Sequence, residues 1–446
     1  MRHLMRTAAF GRPSAHLAVA RRQSLSSPTT SPDGRATSSP SCRFRPSHAT
    51  QPSQTRDKSK RPPPPPLARR ALPPALLLLY IITQLSSRLS LTSHPSADQA
   101  LASPPPGTPP MASSATAAAD PAPHVVDECR GVLFVYSDGT VVRRASPAFS
   151  PPVRDDGSVE WKDATFDPNH GLGLRLYRPR DDDHLPAGGE RRKLPVFFYY
   201  HGGGFCIGSR TWPNCQNYCL RLAADLDALV VAPDYRLAPE HRLPAAIDDA
   251  AASLLWVAAA ADPWLAESAD LTRIFISGDS AGGTLAHHLA VRFGSAAGRE
   301  ELGPAAAVVG YVQLMPFFGG VERTPSEAEC PDEAFLNRDL NDRYWRLSLP
   351  EGATADHPVA NPFGAGAPEL EEVEFAPTMV VVGGRDLLHD RAVDYAKRLK
   401  AMGKPVEVRD FEGQQHGFFT IDPWSDAADE LMRVIKRFVD SDGRFD

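Results

Sequence analysis

The run Ile274-Phe-Ile-Ser-Gly-Asp-Ser-Ala-Gly-Gly-Thr-Leu-Ala-His-His-Leu-Ala-Val291 restricts what this chain can fold into more than any other stretch. Its first half reads as an apolar strand and its second half as an amphipathic helix, so the chain must turn sharply between them. Ser280 sits at the turn, with Gly278 two residues before it and Gly282 two residues after. Asp and Ser are good helix N-caps, and a buried turn could use Gly-Asp-Ser for nothing more. The same spacing also suits a strained strand-to-helix turn that pushes the serine hydroxyl outward, with glycines where strand and helix approach too closely for side chains. The hydroxyl would then lie at a helix N-terminus, where the backbone dipole favours developing negative charge. Short motifs of this kind also arise by chance, so the choice rests on the rest of the chain.

The flanking sequence repeats the strand-then-helix pattern. Leu172-Gly-Leu-Arg-Leu-Tyr177 alternates as a half-buried strand does, whereas Leu194-Pro-Val-Phe-Phe-Tyr-Tyr200 and Ala228-Leu-Val-Val-Ala232 are continuous apolar runs suited to strands covered on both faces. Between those two runs lies a helical pattern at Tyr218–Leu226, and an Ala-rich helix is expected near 245–260. The strand Arg273–Ser277 follows, then the helix Ala281–Phe293, closed by Gly294 as a C-terminal cap. Further strands are expected at 307–315, 378–382 and 406–411, and further helices at 390–402 and 425–439. This order predicts an α/β fold with a mostly parallel central sheet and helices on both faces. Residues 317–370 interrupt it with Asn337-Arg-Asp-Leu-Asn-Asp-Arg-Tyr-Trp-Arg-Leu-Ser-Leu349, an amphipathic helix that could form part of a lid.

The N-terminal part has a different character. Residues 1–123 hold 21 of the 44 prolines, including Pro62 to Pro66, and are rich in Ser, Ala and Arg. Residues 1–97 carry 15 Lys/Arg against only Asp33 and Asp57, a net +13; with −6 for the whole chain, the remainder carries −19. Such a composition offers too little apolar surface to offset its ordering entropy, so 1–123 is expected to be a disordered extension or targeting segment and 124–446 the folded domain. The Arg- and Ser-rich, acid-free start fits an organellar transit peptide, while Met111 fits a start just ahead of the globular pattern; both readings stay open. The apolar run Ala75–Ile82 is far shorter than the ~20 residues a spanning helix needs, so no stable membrane span is expected. The location is expected to be cytoplasmic, with the nucleus also open, or organellar if residues 1–70 are a transit peptide. The acidic balance of the folded part argues against a nucleic-acid partner. The six cysteines form no C-x-x-C pair and are read as reduced, with neither disulfide nor metal.

Chemistry at Ser280 requires partners, and three stretches supply them. His201-Gly202-Gly203-Gly204-Phe205 directly follows a buried strand. Glycines there leave backbone N–H groups bare, and those of Gly203 and Gly204, with that of Ala281, would form an oxyanion hole. His287 and His288 lie on the same helix as Ser280, roughly 10–12 Å along its axis, too far to take its proton. His416, in the Gly-flanked loop after the last strand, is the expected base. Of the two carboxylates after the preceding strand, Asp386 follows it directly and is favoured to orient the imidazole, while Asp390 reads as a helix cap. Asp279 reads as a local hydrogen-bonding residue, and Asp234, Glu240 and Asp248 as loop anchors paired with Arg236 and Arg242. Phe205, Phe317, Phe318, Trp345 and Phe418 flank these motifs and could either line an apolar substrate pocket or be ordinary core.

Taken in order, HGGGF, PDYRLAPEHRLPAA, GDSAGG, GGRDLLHDR and QQHGFF, preceded by DECRGVLFVYSDGTVVR, resemble the plant carboxylesterases of the hormone-sensitive-lipase-like group of α/β hydrolases. The resemblance covers about residue 124 to the end. In SRTWPNCQNYC and WRLSLPEGA the chain looks closest to the branch labelled probable carboxylesterase 15. It implies an N-terminal helical cap, hydrolysis of small carboxylic esters by a Ser280–His416–Asp386 triad without metal or organic cofactor, and a monomer or weak dimer. Some relatives are linked to plant-hormone esters and to lactones such as strigolactones. A non-catalytic receptor of the gibberellin-receptor type shares the fold but lacks the triad histidine, which is present here as His416. Elimination in place of hydrolysis is a third possibility, since a few members of the group are dehydratases.

Overall fold

The computed structural model describes residues 122–147, 151–180 and 192–445. In chain order its strands are β1 (Val125–Cys129), β2 (Leu133–Tyr136), β3 (Val141–Arg143), β4 (Val159–Asp167), β5 (Leu172–Pro179), β6 (Leu194–Tyr200), β7 (Leu229–Pro233), β8 (Ala269–Asp279), β9 (Val308–Leu314), β10 (Thr378–Gly383) and β11 (Val406–Phe411). The long helices are α1 (Pro213–Leu226), α2 (Ala245–Ala258), α3 (Ala281–Gly294), α4 (Arg338–Ser348), α5 (His389–Ala401) and α6 (Asp426–Asp440). The expectations for residues 1–121, including Ala75–Ile82 and Met111, lie outside the described residues.

Strands β4 to β11 form one eight-stranded sheet in the order β11-β10-β9-β8-β6-β7-β5-β4. Every neighbouring pair from β7 to β11 is parallel, and only β5 runs against its neighbours β4 and β7. The pattern of each strand explains its place. All residues of β6, β7 and β10 are buried, as continuous apolar runs require in a sheet covered on both faces. The edge strands β4 and β11 are only partly buried and carry Lys162, Asp163, Glu407 and Arg409, charges that discourage pairing with another chain. One apolar core packs α2, α3 and α5 on one face, with Leu254, Leu285 and Leu399 fully buried. The other packs α1 and α6, with Leu222, Leu431 and Ile435.

Two local expectations are corrected, and one strand is added. Gly294 does not cap α3 as a left-handed glycine; it is the last residue of the helix, and Ser295 is its C-cap. A side chain at Gly294 would stand 2.6 Å from the Glu374 carbonyl, so a close chain approach requires the glycine. The N-terminal cover is not helical among the described residues: β1, β2 and β3 form an antiparallel sheet. Helical cover comes from α4, in the 317–370 insertion. Finally, β4 was not foreseen, because its apolar and polar residues alternate too irregularly to stand out from a loop.

Candidate active site

Four segments leave the C-terminal ends of parallel strands at the same end of the sheet. The turn at Ser280 follows β8, the His201–Phe205 loop follows β6, Asp386 follows β10 and His416 follows β11. Such strand ends are where open α/β sheets gather ligands.

Ser280 has φ 53° and ψ −116°, a conformation a non-glycine residue rarely holds. The surroundings enforce it. Its N–H donates to Leu314 O at 2.9 Å, and its carbonyl accepts from Phe317 N at 2.9 Å and from Thr284 N at 3.2 Å. A side chain on Gly278 would stand 2.4 Å from the Gly282 backbone, and one on Gly282 would stand 1.9 Å from Tyr200 O. Strand, turn and helix therefore interlock through bare backbone. Ser280 occupies the N-cap position of α3, yet its hydroxyl caps no amide of that helix. The capping explanation of the motif fails, and the hydroxyl is free for other work.

The loop from His201 is a chain of left-handed residues: Gly203 (φ 119°), Gly204 (57°), Phe205 (61°) and Gly208 (116°). Gly203 O accepts from the N–H groups of both Cys206 and Ile207 at 3.0 Å, which closes the turn. Among the described residues the N–H groups of Gly203, Gly204 and Ala281 donate to no acceptor. Bare donors of this kind suit a developing oxyanion. Side chains from elsewhere hold the loop in place. The Tyr235 hydroxyl donates to His201 O at 2.7 Å, and its ring stacks on the imidazole 4.4 Å away. Arg143, on β3, donates to Cys206 O and Ala238 O at 2.6 Å each and pairs with Glu240. The Tyr344 ring of α4 fills the space a side chain on Gly204 would need.

His416 and Asp386 are both buried, and His416 Nδ1 lies 2.8 Å from Asp386 Oδ2. The other carboxylate oxygen accepts from Leu388 N at 3.0 Å, which fixes the carboxylate plane. An ionised Asp386 accepts a proton-bearing Nδ1 and so leaves the lone pair on Nε2. Asp390 is engaged elsewhere: it accepts from Ser326 N at 2.8 Å and touches His389. It lies inside the first turn of α5 and is not its cap. Asp279 accepts from the Tyr199 hydroxyl at 2.7 Å, as a local hydrogen-bonding residue should, and burial raises its pKa above the ordinary carboxylate range. His287 and His288 bond to Tyr395 and to the Val359 carbonyl, away from this chemistry.

The five aromatic residues separate into three groups. Phe205, Phe317 and Trp345 cluster, with Phe317 and Trp345 stacked at 4.1 Å. Phe318 packs against Tyr395 and His287. Phe418 packs with Phe411 and Phe419 in the core of the opposite sheet face, and so does not share a wall with the trio. The loop anchors are ionic as expected, but their partners differ: Asp234 pairs with Arg210, Glu240 with Arg143, and Arg236 with Asp249 in place of Asp248. Arg242 donates to the carbonyls of Arg346 and Leu349. The five described cysteines are unpaired and buried. Among the described residues no helix is long and apolar enough to cross a membrane. Arg143, Tyr235 and Tyr344 were missed, since only folding brings them to the loop they hold.

Residues 197–420 match the family model described as alpha/beta hydrolase fold. The chain is 36% identical over 314 residues to tuliposide A-converting enzyme b1, amyloplastic, of Tulipa gesneriana, covering 69% of this chain and 78% of that protein. It is 33% identical to probable carboxylesterase 2 of Arabidopsis thaliana and 33% identical to 2-hydroxyisoflavanone dehydratase of Glycyrrhiza echinata, each covering 69% of this chain and 94% of the relative. Among solved structures, the hyperthermophilic esterase from Pyrobaculum calidifontis is similar at 32% identity with a TM-score of 0.53, over 66% of this chain and 87% of the other.

Proposed function

This chain belongs to the alpha/beta hydrolase fold family with the plant carboxylesterases and is a serine carboxylic-ester hydrolase, and from that premise we propose that it cleaves small carboxylic esters through Ser280, His416 and Asp386. The observation that carries this reading is the buried 2.8 Å contact between His416 and Asp386, on loops that leave the same end of the parallel strands as the strained Ser280 turn, whose hydroxyl caps no amide of its helix. His416 Nε2 takes the Ser280 hydroxyl proton as the oxygen attacks the ester carbonyl carbon. The carbonyl π electrons move onto oxygen, and the N–H groups of Gly203, Gly204 and Ala281 stabilise that negative charge. Each such donor is worth on the order of 3–4 kcal/mol in the transition state. Asp386 holds the imidazole in the required tautomer and stabilises its protonated form. Collapse of the tetrahedral species expels the alcohol, which receives the proton from His416, and leaves an acyl group on Ser280. Water then repeats the sequence, releasing the carboxylic acid and restoring the serine.

The expected outcome for Ser280→Ala is a folded protein that loses about 10³-fold or more of its turnover of a short p-nitrophenyl ester and is not labelled by a serine-directed fluorophosphonate. Retained labelling would remove Ser280 from the mechanism. Asp386→Asn should cost about 10³–10⁴-fold in kcat, whereas Asp390→Asn should cost less than about tenfold. Equal losses would mean that the wrong carboxylate has been chosen.

The substrate class extends in this reading to plant-hormone esters and lactones, and activity profiling across a panel of acyl and hormone esters tests it. The dehydratase relative supports elimination as a second reading. Loss of water from a 2-hydroxy substrate without a fluorophosphonate-reactive serine would favour it over hydrolysis. An organellar address carried by residues 1–70 agrees with the amyloplast named for the tulip relative. A mature N-terminus found upstream of residue 70 would exclude removal of that segment.

A further inference from the structure

Met315 lies just beyond β9 and is almost fully buried. It bonds directly to two of the segments that carry the proposed triad, and the residues flanking it bond to the third. Leu314, directly before it, and Phe317, two residues after it, bracket the nucleophile: Leu314 O accepts from Ser280 N, and Phe317 N donates to Ser280 O, both at 2.9 Å. Its own N–H donates to Val381 O at 2.8 Å, on the strand that leads to Asp386. Its thioether Sδ accepts from the N–H of Gly417, the residue directly after His416, at 3.1 Å. That amide is buried and follows the base in a left-handed turn, with Gly417 at φ 66°. Met315 itself stands at φ 47°. A methionine is flexible enough to bring a soft acceptor to an irregular gap, which a hydrocarbon of the same size cannot do.

We propose that Met315 is a positioning residue that ties the His416 loop to the backbone holding Ser280, and so sets the place of the base relative to the nucleophile. The inference rests on the triad reading above and goes beyond it. A thioether contributes nothing to proton transfer. Its effect is geometric, and misplacing a reacting group by about 1 Å can cost on the order of 100-fold in rate.

The test compares Met315→Leu, which keeps the volume and removes the acceptor, with Met315→Gln, which puts an amide oxygen within the same reach. Steady-state hydrolysis of p-nitrophenyl acetate is measured per active site, counted by fluorophosphonate titration. The expected result for Met315→Leu is a kcat lower by about tenfold or more with KM changed less than about twofold. Met315→Gln should recover most of that loss. Unchanged kcat in Met315→Leu, or equal loss in both variants, would overturn the proposal and leave Met315 as packing alone. If Met315→Leu fails to fold, hydrogen exchange in the wild-type protein decides: the Gly417 amide must be among the slowly exchanging ones, and fast exchange overturns the tether. Ser280→Ala is measured alongside. If it keeps its label, the triad reading and this proposal fall together; if it loses the label while Met315→Leu is unimpaired, only the tether falls.

Discussion

The turn at Ser280 and the loop at His201–Gly208 meet at the same end of the sheet, but they are held by different means. Around Ser280 the restraints are backbone against backbone: Gly278 against Gly282, Gly282 against Tyr200 O, and three hydrogen bonds on the serine peptide. The His201–Gly208 loop is closed by one turn of its own at Gly203 O, takes one backbone bond from Ala238 N to Phe205 O, and is otherwise propped by Tyr235, Arg143 and Tyr344, which reach it from three other parts of the chain. A turn encoded by its own glycines has no room to adjust. A loop propped by distant side chains can lose one prop and shift. Damage to the first should therefore appear as loss of fold, and damage to the second as loss of rate.

The largest expected effect follows from breaking the first region. Gly282→Ala places a carbon 1.9 Å from Tyr200 O, a backbone atom of a central strand that cannot swing away. The expected loss is about 4 kcal/mol or more, or a thermal midpoint lowered by roughly 10 °C. A variant that unfolds within about 2 °C of the parent would show that the turn yields after all. Next comes the second region. Arg143→Met keeps most of the aliphatic stem and removes the donors to Cys206 O and Ala238 O. Here kcat/KM should fall by about tenfold while the midpoint drops by only a few degrees, since about two hydrogen bonds of ~1 kcal/mol are lost. Unaltered kcat/KM would mean that the loop holds itself.

The smallest effect concerns the loop that carries Asp386. His389 bridges Asp390 and Asp410 beside it. Burial opposes its charged form, yet the hydrogen bonds to Asp410 and Asp390 prevail and hold its pKa above the ordinary 6.5. A raised histidine contributes its stability fully below the unfolded value near 6.5 and loses it as pH rises through the folded value. His389→Gln should therefore lower the midpoint at pH 6 by about 1–3 °C and at pH 9 by less. A penalty that grows toward alkaline pH would reverse the sign and reject the charged bridge.

Much of this site was legible before folding. The parallel strands β6, β7 and β10 were visible because burial on both faces leaves a continuous apolar run that no loop imitates. The turn glycines were visible because close backbone approach admits no other residue. Asp386 was preferred to Asp390 from its place after the strand and from reading Asp390 as a helix cap; the structure brings Asp386, and not Asp390, against His416, although Asp390 is not the cap.

What the sequence by itself determined is whatever rests on local backbone demands: strand, glycine turn, helix, and the place of Ser280, Asp386 and His416 each just after a strand. Only the tertiary structure decided which side chains serve which neighbours. Arg236 chose Asp249 over Asp248, Glu240 found Arg143 from the far N-terminal sheet, and Phe418 went to the opposite core from Phe317. Charge and apolarity state what a side chain needs, not where it will be met. Many partners satisfy an ion pair or a buried ring equally well in one dimension, and only the packing of distant segments leaves one of them within reach.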